Sequence, residues 1–154
     1  EAIASALGLA IEPADHLATH ADLRAVVALG EEVLLSAERM RGLLASVILA
    51  THERGPVGDA AIALPIAAWA EVAGTITNRQ GRVQRLHPAL PPPGHALAGW
   101  QVVVRLGQAL AAKLAWSSAE EVFTAMKGAV PSAAGAVWGR SARKVQLRFA
   151  GSRG

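Results

Sequence analysis

The chain of 154 residues contains no cysteine and no tyrosine, and it has only two phenylalanines. Without cysteine, disulfide bonds, thiolate zinc sites and iron–sulfur clusters ligated from this stretch are excluded. Aromatic residues make up 4% of the sequence, so base-stacking surfaces are scarce and the core is expected to be aliphatic and closely packed. Hydrophobic residues make up 52% and charged residues 18%, which excludes a disordered acidic tail.

Long apolar runs are also missing. The longest one covers residues 60–70 and contains Pro65, whereas a membrane-spanning helix needs about 20 apolar residues. We therefore expect no direct membrane insertion. The sequence begins at Glu1 with no basic and apolar leader, so secretion is not expected and the chain is interpreted as a piece of a longer one.

Charge is distributed unevenly along the chain. Residues 1–78 carry four arginines and ten acidic residues, a balance of −6, and residues 79–154 carry eleven basic and two acidic residues, a balance of +9. We predict a first region over residues 1–130 and a basic Gly/Ala/Arg-rich extension over residues 131–154. The basic stretch at 127–153 is expected to face an acidic neighbour. Nucleic-acid binding is the less favoured alternative, because recognised binding motifs are missing.

The first half predicts two buried strands around one helix. Residues 23–30 and 46–51 are short apolar runs rich in β-branched side chains, typical of strands buried on both faces. Residues 31–44 carry apolar side chains at helical spacing, with Glu31 and Glu32 in the first turn. The pattern predicts a parallel βαβ unit with a right-handed crossover. The fold class is therefore α/β, a Rossmann-like parallel sheet flanked by helices.

Shorter elements are predicted elsewhere. Two helical pieces come first, and a third strand, a helical turn, two extended stretches joined by a polar turn, two helices and an edge strand follow the βαβ unit. In that order they cover residues 1–10, 14–22, 61–65, 66–71, 74–85, 100–115, 119–130 and 144–149. Ser118 is a good N-cap for the helix at 119–130.

Single-residue signals for a metal or a phosphate are weak. His16 and His20 are four residues apart, a spacing that can place a metal on one helix face with a third ligand from Asp15 or His52. The glutamate of a hydrolytic zinc motif is missing, so ordinary surface histidines and no metal site are expected. Gly30 follows a predicted strand, where phosphates often bind, but one glycine does not make a nucleotide-binding motif.

A more specific signal lies in residues 64–100, which read LPIAAWAEVAGTITNRQGRVQRLHPALPPPGHALAGW. This stretch resembles the segment of molybdopterin oxidoreductases with the pattern LP, GT(F/Y)TN, EGR, PPGEA and DW. Within that family it is most similar to the large iron–sulfur subunit of bacterial respiratory NADH dehydrogenase (complex I). Weaker agreement extends to the two predicted strands upstream and to the helices downstream, so that the resemblance covers most of the chain. It implies a partial domain of a molybdopterin oxidoreductase-like fold.

Three positions depart from the family pattern. Gln80 stands where the family has Glu, His95 replaces the acid of PPGEA, and Gly99 replaces the Asp before Trp. A pterin cofactor requires polar side chains around it, and part of them is lost here. Such a loss is expected of a scaffold that no longer binds the cofactor. The resemblance implies that iron–sulfur clusters lie elsewhere in the parent chain, in agreement with the absence of cysteine.

The resemblance implies a structural segment of the complex I subunit, in the peripheral arm on the cytoplasmic side of the inner membrane. Its partners would be other subunits of that arm, and it would hold no catalytic residue, metal or redox centre. The alternative is a cofactor-binding segment of an active molybdopterin oxidoreductase such as a formate dehydrogenase-like enzyme, with Asn78, Gln80, Arg82 and Gln84 lining the pterin site. Formate dehydrogenases tend to have Arg where Gly81 stands, which favours the first function.

The motif at 74–85 is also expected to serve packing and turn formation. Gly74 and Gly81 are predicted where φ is positive or a side chain would clash. Arg82 is predicted to make fixed hydrogen bonds to backbone carbonyls or to a carboxylate, because its planar group presents five donors.

Overall fold

The computed structural model describes residues 16, 19–30 and 35–139, and these fall into two compact units. The sheet unit comprises the described residues up to 68 together with residues 91–113. The hairpin unit comprises residues 69–90 together with the described residues from 114 onward. The predicted edge strand at 144–149, the helical piece at 1–10 and residues 14, 15, 17 and 18 of the piece at 14–22 lie outside the described residues.

Three parallel strands form the sheet of the sheet unit. Strands β1 (Ala25–Leu29), β2 (Ala45–Ala50) and β3 (Ile62–Pro65) are hydrogen-bonded in chain order, with β2 in the middle. Val27 is in register with Val47, which is in register with Ile62. The predicted parallel pairing of the first two strands is confirmed, with bounds that differ by one or two residues.

Helix α1 (Ala37–Arg41) connects β1 to β2 and is shorter than predicted. Ser36 is its N-cap and accepts a hydrogen bond from the Arg39 amide. The prediction of helix as far as Leu44 is wrong. The Leu44 amide donates to the Arg24 carbonyl at 2.8 Å, so the chain already pairs with the segment before β1, and the Leu44 side chain is 76% exposed. Residues 31–34, where the predicted helix began, lie outside the described part.

One core cluster of the sheet unit lies on the face of the sheet that carries Ile48, and Leu49 on the other face is fully buried as well. Ile48 is fully buried and packs with α1 and with the residues of a 3-10 helix at Gly55–Asp59, in a cluster formed by Leu35, Met40, Ile48, Ala50 and Val57. Ser46 is the buried polar residue of β2, and its hydroxyl accepts a hydrogen bond from the Ala61 amide at 2.8 Å. An aliphatic core was expected from the composition, and this cluster contains no aromatic ring.

Helix α2 (Gly99–Ala109) follows a short bridge between Ile66 and Leu97. The prediction of helix to residue 115 is wrong, because the chain turns at Ala111, whose φ is +62°. The Ala112 amide then donates to the Gly107 carbonyl at 2.8 Å, a bond that closes the helix end as in a Schellman motif. Glycine usually occupies the position with positive φ, so the sequence carries no stop signal there.

The hairpin unit contains two antiparallel strands and one helix. Strands β4 (Gly74–Thr77) and β5 (Val83–Leu86) form the hairpin, and helix α3 (Ala119–Ala129) packs on it. Both predictions are confirmed, including the N-cap, since the Ser118 hydroxyl accepts from the Glu121 amide at 3.2 Å. Two 3-10 helices, Trp69–Glu71 and Pro131–Ala133, complete the described elements.

An aromatic cluster forms the core of the hairpin unit. Val83, Phe123 and Ala136 are buried together, with Trp138 packed against them. The Phe123 and Trp138 ring centroids are 5.4 Å apart, and the Arg85 guanidinium carbon lies 4.5 Å from the Trp138 centroid. Residues 131–139 therefore contribute to the core. The boundary proposed at residue 130 remains a prediction, as does the acidic neighbour of residues 127–153.

None of the helices in the described ranges combines the length with the apolar character of a membrane span. Helices α2 and α3 have 11 residues each, about half the length that a bilayer requires.

Candidate functional site

A tight turn joins β4 to β5 and holds three of the four predicted site residues. The Gly81 amide donates to the Asn78 carbonyl at 2.9 Å, and the Asn78 amide donates to the Arg82 carbonyl at 3.0 Å. Gly81 is buried and has a φ of +74°. This is the three-residue hairpin loop in which a left-handed glycine follows a type I turn. The prediction for Gly81 is confirmed.

The Asn78 side chain serves the turn itself. Its Oδ1 accepts hydrogen bonds from the Gln80 amide at 3.0 Å and from the Arg82 amide at 2.9 Å. These two bonds fix the backbone of the tip in the way that Asx turns do. The amide oxygen of Asn78 is thus occupied by the protein, and only its NH₂ group is left to meet a ligand.

The other three predicted residues project from the hairpin. Gln80 and Arg82 are exposed at the tip, and Gln84 is exposed on β5 opposite Ile76. The turn therefore brings Asn78, Gln80 and Arg82 together, with Gln84 two residues further along the strand from Arg82. Whether any of the four touches a pterin stays a prediction.

Two expectations for the motif are wrong. The Arg82 guanidinium is exposed and makes no hydrogen bond to the residues that the structure describes, because β5 directs it away from the core that contains Val83. Gly74 has no positive φ, and a Cβ built on it meets no atom within 4 Å. It lies on β4 in ordinary strand geometry, so neither a close approach nor a turn requires glycine there.

A cleft in the sheet unit was not predicted. It lies at the carboxyl ends of β2 and β3, has a volume of about 200 Å³, and is lined by Ala50, Thr51, His52, Glu53, Val57, Ala63, Leu64 and Pro65. Ligands of open α/β sheets bind at this edge. The Thr51 hydroxyl and the His52 Nδ1 are 2.8 Å apart and hydrogen-bonded. The signal that could have found the site is the position of Thr51 and His52 directly after a buried strand.

The size and the lining of the cleft limit what it can hold. Pockets for ligands of drug size measure about 300–1,000 Å³, so about 200 Å³ accommodates a fragment such as one ring or one phosphate group. The polar groups at its rim come from Thr51, His52 and Glu53, and the rest of the lining is aliphatic. The described residues of the cleft alone do not enclose a pterin nucleotide.

The histidine pair does not form a metal site with other described residues. His16 and His20 are both exposed, and no group of three His, Cys, Asp or Glu side chains that could hold a metal ion occurs in the described part of the chain. The His16 carbonyl accepts from the Thr19 hydroxyl at 3.1 Å, and the His20 carbonyl accepts from the Arg39 guanidinium at 2.7 Å. In both bonds the acceptor is the backbone carbonyl of the histidine and not its ring.

Residues 44–109 match the family model for molybdopterin oxidoreductase. The matched range contains both the lining of the cleft and the whole hairpin. It begins next to β2 and ends with α2.

Three curated proteins of different names align with part of the chain. The chain is 43% identical over 76 residues to the F420-dependent formate dehydrogenase 2 subunit alpha of Methanococcus maripaludis, covering 48% of this chain and 11% of that protein. It is 42% identical over 65 residues to a nitrate reductase of Klebsiella oxytoca, covering 41% and 8%. It is 33% identical over 70 residues to the NADH-ubiquinone oxidoreductase 75 kDa subunit of Reclinomonas americana, covering 46% and 10%. The aligned part thus spans about a tenth of the length of each relative.

Proposed function

We propose that this chain is an α/β scaffold segment in the large subunit of an oxidoreductase complex, with no redox centre of its own. The proposal is supported by the match of residues 44–109 to the family model for molybdopterin oxidoreductase. More specifically, we propose that the segment belongs to the large iron–sulfur subunit of complex I, in the peripheral arm that carries electrons from NADH to quinone. Other subunits of that arm would be its partners, on the cytoplasmic side of the inner membrane.

The geometry of the hairpin is the observation that carries this proposal. Asn78, Gln80, Arg82 and Gln84 would line a pterin site, yet the Asn78 oxygen is occupied by the turn and the other three side chains are exposed. A large polar cofactor needs a concave site with convergent polar groups. The described residues offer an exposed hairpin and a small, mostly aliphatic cleft, so they do not fit the cofactor by themselves.

A second function is favoured by the comparisons. The matches to a formate dehydrogenase and a nitrate reductase are 43% over 76 residues and 42% over 65 residues. NADH-ubiquinone oxidoreductase subunits of Reclinomonas americana and Candida albicans match at 33% over 70 residues and 42% over 53 residues. The cleft at the carboxyl ends of β2 and β3 lies where α/β folds bind ligands. In this function the segment contributes part of the cofactor site of an active molybdopterin oxidoreductase. Gly81 then disfavours formate as substrate, since formate dehydrogenases tend to carry Arg there.

Metal and pterin analysis of the full-length parent protein separates the two functions. The scaffold function predicts iron from clusters held outside this segment, without stoichiometric molybdenum, tungsten or pterin. Stoichiometric molybdenum or tungsten together with a pterin would contradict it and establish the second function. Turnover of NADH, nitrate and formate by the same preparation then assigns the substrate.

Variants of the parent protein sharpen this test. Arg82→Ala and Gln84→Ala remove two of the side chains that would line a pterin site, and Arg105→Ala removes an exposed arginine of α2 as a matched control. Under the scaffold function all three leave metal and pterin content unchanged. A loss of pterin that is confined to Arg82→Ala and Gln84→Ala would support the cofactor site.

A further inference from the structure

The outer face of the hairpin carries an exposed apolar side chain. Side chains on a strand alternate between the two faces of a sheet, and Val83 points into the core of the hairpin unit. Gln84 and its cross-strand partner Ile76 therefore lie on the opposite face. Ile76 is 51% exposed and Gln84 is exposed as well. Arg82 precedes Gln84 by two residues and shares its side of β5.

The positive charge of this face forms no ion pair with the residues that the structure describes. Arg79 and Arg82 are exposed, and no acidic residue occurs from position 72 to position 119. Arg85 differs from these two arginines, because its guanidinium carbon lies 4.5 Å from the centroid of the Trp138 ring. The Arg82 guanidinium makes no such contact with the described residues. Of these three arginines, Arg85 contributes to the fold and the other two are left to meet a partner.

The backbone that carries these side chains is already fixed. The Asn78 side-chain oxygen accepts hydrogen bonds from the Gln80 and Arg82 amides, and Gly81 adopts the left-handed conformation that the turn needs. A rigid tip loses little backbone entropy on binding, which favours association.

We propose that this outer face, defined by Ile76, Arg82 and Gln84, binds an acidic polypeptide segment together with Arg79, which is exposed at the adjoining turn. A carboxylate accepts two parallel hydrogen bonds from a guanidinium, and arginine is enriched in protein interfaces. An apolar side chain next to the carboxylates covers Ile76. Nucleic acid is less well matched, because its phosphates pair with the arginines but its backbone leaves Ile76 in water. The inference rests on the scaffold function, because under the second function Arg82 and Gln84 would line the pterin site.

Fluorescence anisotropy with a short fluorescein-labelled peptide of glutamate and leucine tests the proposal on the whole chain. We expect binding that weakens as sodium chloride is raised, because salt screens exposed charges. Arg82→Gln should weaken binding about fivefold, the upper range for an exposed ion pair. Arg105→Gln changes an exposed arginine of α2 and should leave the affinity unchanged. All variants should show the circular dichroism melting curve of the parent chain.

Ile76→Thr separates the apolar contribution from the charge. It should weaken binding of the glutamate–leucine peptide and leave unchanged the weaker binding of a glutamate–serine peptide. Three results would overturn the proposal: no binding of the acidic peptide, equal losses in Arg82→Gln and Arg105→Gln, or tighter binding to duplex DNA that depends on Arg82. The first result is also the one expected if another segment of the same chain covers the face.

Discussion

The sheet unit and the hairpin unit reach a packed core by different means. The sheet unit packs aliphatic side chains of neighbouring elements, with Ile48 fully buried between Met40 and Val57 in one cluster. The hairpin unit relies on an aromatic pair, Phe123 and Trp138, whose members come from a helix and from a segment without regular structure. A few rings can therefore organise a small unit in which regular strands are only four residues long.

The largest effect is expected from removing an aromatic ring of the hairpin unit. Phe123 is 4% exposed and contacts the Trp138 ring, so Phe123→Ala should lower the free energy of unfolding by about 3–5 kcal/mol. Urea denaturation measures the loss, and hydrogen exchange should show the greatest loss of protection at the amides of β5. A loss below about 1 kcal/mol would mean that the aromatic pair does not organise this unit.

The sheet unit is tested by its buried polar residue. Ser46 is 2% exposed and accepts the Ala61 amide, so Ser46→Ala leaves that donor without a partner and should lower the free energy of unfolding by about 1–3 kcal/mol. Thr77→Ala on β4 removes an exposed hydroxyl that makes no hydrogen bond with the described residues, and it should change stability by less than about 1 kcal/mol. Equal effects of the two variants, measured by urea denaturation, would contradict this role of Ser46.

Sequence periodicity was sufficient for elements whose signals are local. The apolar runs that became β1 and β2, the turn at Gly81 and the cap at Ser118 were all predictable because each depends on neighbouring residues. The end of α2 was not, because Ala111 adopts the left-handed conformation that glycine normally marks.

The candidate site was only partly predictable for a similar reason. The family pattern pointed to Asn78, Gln80, Arg82 and Gln84 as ligand residues. Asn before a tight turn is a local signal for the Asx-type bonds that Asn78 makes, but nothing in the pattern indicates that the Arg82 guanidinium is exposed. Trp138 could not be predicted as a core residue, because its contacts with Arg85 and Phe123 join segments distant in the sequence. Long-range packing decides such positions, and periodicity does not report it.

The two glycines of the hairpin form a matched pair for the next prediction. Gly81 has a φ of +74°, where a Cβ costs about 1–2 kcal/mol, so Gly81→Ala should destabilise the chain by that amount. Gly74 has no positive φ and no atom near its Cβ position, so Gly74→Ala should be neutral or slightly stabilising. Thermal unfolding compares them, and a reversed order would show that the turn does not depend on the conformation of Gly81.

The helix caps allow the same comparison between units. In the sheet unit the Ser36 hydroxyl accepts a hydrogen bond from the Arg39 amide at 3.1 Å. In the hairpin unit the Ser118 hydroxyl accepts one from the Glu121 amide at 3.2 Å. Each Ser→Ala change should cost about 1 kcal/mol. Replacement by Asp should restore stability at neutral pH, since a carboxylate also caps and favours the positive helix end. Urea titration tests both, and loss of stability in the Asp variants would argue against capping.

The smallest expected effect is a pH dependence in the first turn of α3. The pKa of Glu121 lies below its ordinary value of 4.5, because hydrogen bonds from the Ser117 amide at 2.7 Å and from the Ser117 hydroxyl at 3.0 Å favour the carboxylate. A pKa that is lower in the folded than in the unfolded state stabilises the fold above the unfolded-state value. That contribution is lost as the pH falls through the folded-state pKa. Glu121→Gln should therefore lower the melting temperature at pH 7 and approach the parent chain near pH 3.

Glu120→Gln is the control for this prediction, because the Glu120 side chain makes no hydrogen bond with the described residues. Its difference from the parent chain should vary less with pH. A constant gap between Glu121→Gln and the parent chain across this range would mean that the Ser117 bonds do not depend on the charge of Glu121.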